Sequence, residues 1–370
     1  MRSGVASLAL DNSSFTCANV GSGNTVVLTV TDVNTNTSTC TATVTVQDNV
    51  APVAVCQDVT VQLDNTGNGS TTASAVNNGS SDACGVASLA LDNSSFTCAN
   101  VGSGNTVVLT VTDVNTNTST CTATVTVQDN VAPVAVCQDV TVQLDNTGNG
   151  STTASAVNNG SSDACGVASL ALDNSSFTCA NVGSGNTVVL TVTDVNTNTS
   201  TCTATVTVQD NVAPVAVCQD VTVQLDNTGN GSTTASAVNN GSSDACGVAS
   251  LALDNSSFTC ANVGSGNTVV LTVTDVNTNT STCTATVTVQ DNVAPVAVCQ
   301  DVTVQLDNTG NGSTTASSVN NGSSDACGVA SLALDNSSFT CANVGSGNTV
   351  VLTVTDVNTN TMYSNGNCTG

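Results

Sequence analysis

Cysteine and aspartate are the two residue types in this chain that could do chemistry. The 370 residues include 18 Cys and 26 acidic residues, all of them Asp, but no His and no Lys, and Arg2 is the only basic residue. Cysteines can form disulfides or bind zinc. No Cys-x-x-Cys pair occurs and no imidazole is present, so the sequence favours disulfides. Structural disulfides persist in oxidising compartments, which predicts an extracellular or cell-surface protein.

The aspartates give the chain a formal charge of -25, spread evenly along its length. Such a surface repels nucleic acid and anionic lipid, so we expect neither as a partner. No apolar stretch has the length of a membrane span, and we expect no membrane insertion. Asp, Asn and main-chain carbonyls are suitable calcium ligands. Calcium is therefore the one candidate cofactor, and the alternative is that dispersed Asp residues serve only solubility.

The composition argues against catalysis. Without His, Lys or Glu, Asp is the only ordinary general base, and paired Asp residues would be the only acid–base site available. Such a site would also have to occur in every repeat. We therefore expect no enzymatic activity and no small-molecule substrate.

A repeat of 81 residues organises the whole chain. The segment GVASLALDNSSFTC begins at Gly4 and returns at Gly85, Gly166, Gly247 and Gly328. One internal substitution, Ser318 for Ala, distinguishes the overlapping copies. A regular array supplies length and repeated surface. The predicted boundaries are a partial repeat at 1–48 (the C-terminal part of a unit), complete repeats at 49–129, 130–210 and 211–291, and a repeat at 292–370 that lacks its last strand.

Each repeat carries strand patterns rich in Val and Thr that alternate between apolar and polar residues. One buried face and one wet face are typical of an antiparallel sandwich. The sequence thus predicts an all-β chain of tandem immunoglobulin-like β-sandwich repeats. A proline at each boundary, such as Pro52, stiffens the junction and predicts an extended rod. The predicted strands of one repeat are 53–63, 70–76, 86–92, 106–113 and 120–128.

Four cysteines per complete repeat allow three pairings, and the sequence alone does not choose among them. If the first and last strands run in the same direction, Cys56 and Cys121 lie at the same end. Cys84 and Cys98 then bracket the 86–92 strand and could close a small loop. The equivalent pairs are Cys137–Cys202, Cys165–Cys179, Cys218–Cys283, Cys246–Cys260 and Cys327–Cys341.

Four cysteines near the ends have no regular partner under this scheme: Cys17, Cys40, Cys299 and Cys368. Ser3 occupies the position of the expected partner of Cys17, and Ser364 that of Cys299. Cys17 and Cys40 could join each other, stay reduced or cross-link chains. Cys368 could replace the missing partner of Cys299.

Strand direction predicts a calcium site at each boundary. The linker residue Asp129 is expected close to the upper loops of the next repeat, which carry Asp163 and Asp194. Three carboxylates without a nearby cation would repel one another, and bound calcium would relieve this repulsion. The equivalent predicted triads are Asp48, Asp82 and Asp113; Asp210, Asp244 and Asp275; and Asp291, Asp325 and Asp356.

The repeat resembles the hyalin-repeat (HYR-like) modules found in tandem in large secreted adhesins of surface-colonising bacteria. The residues that carry the resemblance are AVCQDVTVQLD at 54–64, SSDACG at 80–85, FTCANVG at 96–102, TVTDVNTNTSTC at 110–121 and the closing TATVTVQD. The resemblance covers every complete repeat. It implies an immunoglobulin-like fold and a role in adhesion or as a stalk.

These observations predict a structural stalk or adhesive repeat region that gives reach and multivalency, with other copies of itself or surface ligands as partners. The alternative is a subunit of a self-assembling extracellular fibre, joined by strand exchange or end-to-end contacts. The strand-exchange alternative depends on the missing last strand of 292–370, because an unfilled sheet edge can accept a strand from a neighbour.

Overall fold

Alternating Val, Leu and Thr residues form the main strands of each repeat. In the strand Gly104–Asp113, the side chains of Val107, Leu109 and Val111 are fully buried, while the intervening residues are partly exposed. The computed structural model describes residues 4–21, 23–102, 104–183, 185–263, 266–345 and 347–369, with side chains described up to residue 366. It is an all-β fold built from 81-residue repeats.

The partial first repeat contains β1 (Val5–Leu10), β2 (Asn24–Asp32) and β3 (Thr37–Val44). The second repeat contains β4 (Val59–Gln62), β5 (Asn68–Ser70), α1 (Ala73–Val76), β6 (Val86–Leu91), β7 (Ser95–Thr97), β8 (Gly104–Asp113) and β9 (Thr118–Gln128). The third contains β10 (Val140–Gln143), β11 (Asn149–Ser151), α2 (Ala154–Val157), β12 (Val167–Leu172), β13 (Ser176–Thr178), β14 (Gly185–Asp194) and β15 (Thr199–Gln209).

The fourth repeat contains β16 (Val221–Gln224), β17 (Asn230–Ser232), α3 (Ala235–Val238), β18 (Val248–Leu253), β19 (Ser257–Thr259), β20 (Gly266–Asp275) and β21 (Thr280–Gln290). The fifth contains β22 (Val302–Thr303), β23 (Asn311–Ser313), α4 (Ala316–Val319), β24 (Val329–Leu334), β25 (Ser338–Thr340), β26 (Asn348–Asp356) and β27 (Thr361–Thr369). Single 3₁₀ turns lie at Cys17–Asn19, Cys98–Asn100, Cys179–Asn181, Cys260–Asn262 and Cys341–Asn343.

Each of the second, fourth and fifth repeats is a sandwich of two sheets. In the second repeat the larger sheet has the order β4-β9-β8-β6, and β5 pairs with β7 in the smaller one. The first strand β4 runs parallel to the last strand β9, as the sequence predicts. The core between the sheets is formed by Val, Leu and Ala side chains together with Phe96, which is 1% exposed. This arrangement is immunoglobulin-like.

The last repeat has a closing strand, contrary to the prediction for 292–370. The strand β27 pairs antiparallel with β26 and parallel with β22. Although MYSNGNCTG departs from the repeat sequence, the hydrogen bonds of a β-ladder come from the main chain and tolerate the altered side chains. The sheet edge that was expected to accept a strand from a neighbour is therefore filled by the chain itself.

The chain divides into two compact units, and the third repeat contributes segments to both. One unit consists of Met1–Val140, Thr152–Ser175 and Thr187–Thr205, and the other of Thr141–Ser151, Ser176–Asn186 and Val206–Gly370. The second repeat lies in the first unit, and the fourth and fifth repeats lie in the second. Among the described residues, no helix is both long and apolar enough to cross a membrane.

Candidate functional site: the junctions between repeats

Each repeat has an entry end, which faces the preceding linker, and an exit end, which faces the following one. The strand β9 runs from the entry end at Thr118 to the exit end at Gln128. Its 11 residues span about 37 Å at roughly 3.4 Å per residue. Because Val86 pairs with Asp113 at the far end of β8, the start of β6 lies at the entry end.

Cys84 and Cys98 lie at opposite ends of their repeat. Cys84 precedes Val86 and therefore lies at the entry end. The Cys98 sulfur lies 3.7 Å from the Gly67 carbonyl oxygen, in the turn that leaves β4. The strand β4 ends at Gln62 beside Gln128, which places this turn at the exit end. A disulfide needs Cα atoms within about 7 Å, so the predicted Cys84–Cys98 pair cannot form.

The structure instead joins neighbouring repeats by disulfides, here called staples. Cys98 of the second repeat pairs with Cys165 of the third, with a Cα–Cα distance of 5.1 Å. The other staples are Cys17–Cys84, Cys179–Cys246 and Cys260–Cys327. The predictions Cys84–Cys98, Cys165–Cys179, Cys246–Cys260 and Cys327–Cys341 were therefore wrong, as was the expectation that Cys17 has no partner.

A second class of disulfide closes individual repeats. Cys56 pairs with Cys121, joining the start of the first strand region to the last strand across a separation of 65 residues. This is the pairing that the parallel direction of these strands predicts. The equivalent disulfides are Cys137–Cys202 and Cys218–Cys283.

Three cysteines of the described part of the chain are free. Cys40 and Cys341 are exposed, and Cys299 is partly buried with its thiol 3.5 Å from the main-chain oxygen of Ser364. Ser364 occupies the position at which complete repeats have a cysteine. The side chain of Cys368, the suggested replacement partner, lies outside the described residues.

At three of the four staples a glycine leaves room for the disulfide: Gly67 beside Cys98, Gly148 beside Cys179 and Gly229 beside Cys260. In the fourth repeat, a Cβ atom on Gly229 would lie 2.6 Å from the Cys260 sulfur and 3.3 Å from the Ala326 Cβ atom. The residue also has a φ of +76°, in the left-handed region that favours glycine. Close approach of the two repeats at the staple therefore requires glycine here.

A hydrogen bond accompanies each staple across the junction. The Asn198 side-chain amide donates to the main-chain oxygen of Asp129 in the preceding linker, at 3.1 Å, and to the Asp194 carboxylate at 2.8 Å. Asp194 also accepts hydrogen bonds from two main-chain N–H groups of its own turn. The equivalent contacts to the linker are Asn117 to Asp48, Asn279 to Asp210 and Asn360 to Asp291.

Asp113 shows the electrostatics of this turn in the second repeat. Burial alone would raise the pKa of Asp113, but hydrogen bonds lower it below its ordinary value. They come from the Asn117 side chain and from the main-chain N–H groups of Asn117, Asn115 and Thr116. The carboxylate is thus held as an anion that orients the Asn117 amide toward the linker.

Only two of the three aspartates of each predicted calcium triad come together. At the boundary between the second and third repeats, carboxylate oxygens of Asp129 and Asp163 lie within 4.8 Å of each other and of the Cys165 sulfur. The same groups recur at the other three boundaries: Asp48, Asp82 and Cys84; Asp210, Asp244 and Cys246; and Asp291, Asp325 and Cys327. The third member of each triad, Asp113, Asp194, Asp275 or Asp356, is 1% exposed and directs its carboxylate to its own turn.

Comparison with known proteins found similarity to solved structures at low sequence identity and low TM-score. No family model matches the chain, and the comparison with curated proteins found no match. Among solved structures, the chain is similar to the protocadherin gammaB4 extracellular domain, with 13% identity, 95% of this chain and 72% of that chain covered, and a TM-score of 0.32. It is also similar to sidekick-1 immunoglobulin domains 1–5, with 7% identity, 94% and 86% coverage and a TM-score of 0.30. The immunoglobulin-like description rests on the strand order and register given above.

Proposed function

We propose that this chain is the stalk or adhesive repeat region of a secreted or cell-surface bacterial protein, and that it transmits tension along a covalent path that bypasses most of each repeat. The main observation behind this proposal is that a disulfide joins neighbouring repeats at each junction. The resemblance to HYR-like modules supports the bacterial and adhesive parts of the proposal. Other copies of the chain or surface ligands would be the partners.

The staples shorten the covalent path through the chain. Each staple enters a repeat at its entry-end cysteine and leaves from its exit-end cysteine, as at Cys165 and Cys179 in the third repeat. Cys179 follows Cys165 by 14 residues, and only this segment separates one staple from the next. The remaining 67 residues of each period lie in a loop that the disulfide closes. Tension therefore passes through the short segment whether or not the loop is folded.

Single-molecule stretching of the full chain tests this function. At about 3.5 Å per extended residue, a stapled repeat reaches at most about 50 Å, whereas 81 residues without staples reach about 280 Å. We expect short extensions in oxidising buffer and long ones after reduction. The matched control is the double variant Cys98→Ser, Cys165→Ser, which should add a single long extension. Long extensions from most repeats of the oxidised wild-type chain would contradict the proposal.

A further inference from the structure

The four junctions share a chemical feature that the staple does not use. Asp129 is only 6% exposed, and one of its carboxylate oxygens is buried without a hydrogen-bond partner. The other oxygen accepts only the Val131 main-chain N–H, at 3.1 Å. The equivalent Asp48, Asp210 and Asp291 each have the same buried, unpaired oxygen. A buried acceptor without a donor is costly, and a buried carboxylate more so, which points to a cationic ligand.

The Asp163 carboxylate supplies the second oxygen of this group. One oxygen of Asp163 accepts the main-chain N–H groups of Cys165 and Gly166, at 2.7 and 3.2 Å, which fixes the direction of the carboxylate. Cys165 itself is held by its disulfide to Cys98. The staple and the carboxylate thus belong to one constrained loop, and that loop places a second anion within 4.8 Å of the first.

The turn that bonds to the linker also holds an unpaired oxygen. The side-chain oxygen of Asn196 is buried and has no hydrogen-bond partner. The same is true of Asn115, Asn277 and Asn358 in the equivalent turns. Asn196 lies two residues from Asn198, whose amide contacts the Asp129 main chain. Each junction therefore combines two carboxylates with an unpaired neutral oxygen in the adjoining turn.

We propose that each junction binds one calcium ion between the linker aspartate and the aspartate that precedes the stapled cysteine, the pairs being Asp48 and Asp82, Asp129 and Asp163, Asp210 and Asp244, and Asp291 and Asp325. This proposal goes beyond the stalk function, because the covalent path does not need a metal. It also replaces the predicted triads, since Asp113, Asp194, Asp275 and Asp356 serve their own turns.

The oxygen donors favour calcium, and their spacing is compatible with it. Calcium binds oxygens at 2.3–2.6 Å, so two oxygens on one ion lie up to about 5 Å apart. The carboxylate oxygens of each pair lie within 4.8 Å of each other, which is compatible with this limit. Magnesium, at about 2.0–2.1 Å, demands a smaller and stricter octahedron. Zinc prefers thiolate and imidazole, but Cys165 is oxidised in a disulfide and the chain has no His. Water would complete the calcium shell.

Isothermal titration of the oxidised full chain with calcium chloride tests the proposal. We expect saturable binding of about four ions, with dissociation constants of about 10⁻⁴–10⁻³ M, typical of extracellular modules. The variant Asp163→Asn, which keeps the acceptor for the Cys165 N–H, should lose one ion. The matched control Asp145→Asn alters an aspartate that is bonded to Thr147 in an exposed turn, and should bind as many ions as the wild type.

Thermal melting of the wild-type chain gives a second readout that does not depend on the folding of any variant. Calcium should raise the melting temperature relative to a chelator, and magnesium at the same concentration should raise it less. Absence of saturable calcium binding, unchanged stoichiometry in Asp163→Asn, or identical melting with calcium and chelator would each overturn the proposal. Stretching lengths measured in chelator would still report on the stalk function separately.

Discussion

Replacing both Cys218 and Cys283 by alanine is expected to lower the free energy of unfolding of the fourth repeat by about 4 kcal/mol. The disulfide between them spans 65 residues, and the loop-entropy model assigns a value of this size to such a loop. Small domains have a net stability of about 5–15 kcal/mol, so the change should remove a large part of it.

Urea unfolding of the full chain, followed by circular dichroism, measures this effect. The variant should show a separate early transition whose amplitude corresponds to one repeat. The matched control is Cys40→Ala, which removes an exposed free cysteine and should leave the curve unchanged. A double variant that unfolds with the same midpoint as the control would show that the disulfide contributes little to the native repeat.

Truncation of the single core aromatic should have a comparable effect. Phe258 is 2% exposed and lies opposite Gly231 in the smaller sheet of the fourth repeat. Removing a buried Phe side chain costs about 3–5 kcal/mol, because apolar contacts are lost and a cavity remains. Phe258→Ala should therefore destabilise the repeat strongly, and Phe258→Leu less so.

The same urea experiment reports on this prediction. The neighbouring variant Ser257→Ala is the control, because Ser257 belongs to the same strand but points outward and is exposed. Equal midpoints for Phe258→Ala and Ser257→Ala would mean that the aromatic ring does not stabilise the sandwich. The position opposite Phe258 also requires glycine, because a Cβ atom on Gly231 would lie 2.6 Å from a Val223 methyl group.

The alternation of apolar and polar residues was sufficient to predict the long strands. The predicted 106–113 and 120–128 strands correspond to β8 and β9, which differ from them only at their ends. The predicted strand at 70–76 was wrong in part. Residues Asn68–Ser70 form a strand, but Ala73–Val76 form a helical turn in which the Thr72 hydroxyl accepts the Ala75 N–H. Four residues are too few to show a helical period in the sequence.

The staples could not be predicted from cysteine spacing. A separation of 14 residues between Cys84 and Cys98 suggests a small loop only if both cysteines lie at one end of the sandwich. The decisive fact is that β6 starts at the entry end, which follows from its pairing of Val86 with Asp113. That register is a long-range property of the sheet. The sequence shows the strand but not which end of the sandwich it starts from.

The predicted calcium triads were wrong at one member because of a local turn. Asp113 lies near the correct end of the repeat, but its carboxylate accepts hydrogen bonds from Asn115 and Asn117 of its own turn. The Asp-x-Asn-x-Asn pattern at 113–117 was visible in the sequence and is compatible with such a self-bonded turn. In that turn Thr116 has a φ of +75°, which costs a β-branched residue energy and shows how strongly the hydrogen bonds fix the turn.

Cutting the chain at one junction tests directly whether disulfides join neighbouring repeats. The chain contains no Lys, so the variant Val50→Lys creates a unique trypsin site in the first linker, where Val50 is 70% exposed. Trypsin otherwise cuts only after Arg2. The staple Cys17–Cys84 spans the new site.

After cleavage, we expect one band of nearly full mass on a non-reducing denaturing gel, and release of the N-terminal fragment of about 5 kDa only after reduction. The control Val50→Lys with Cys17→Ser should release the fragment without reductant. Separation of the fragment without reductant when Cys17 is intact would show that the first repeat is not stapled to the second.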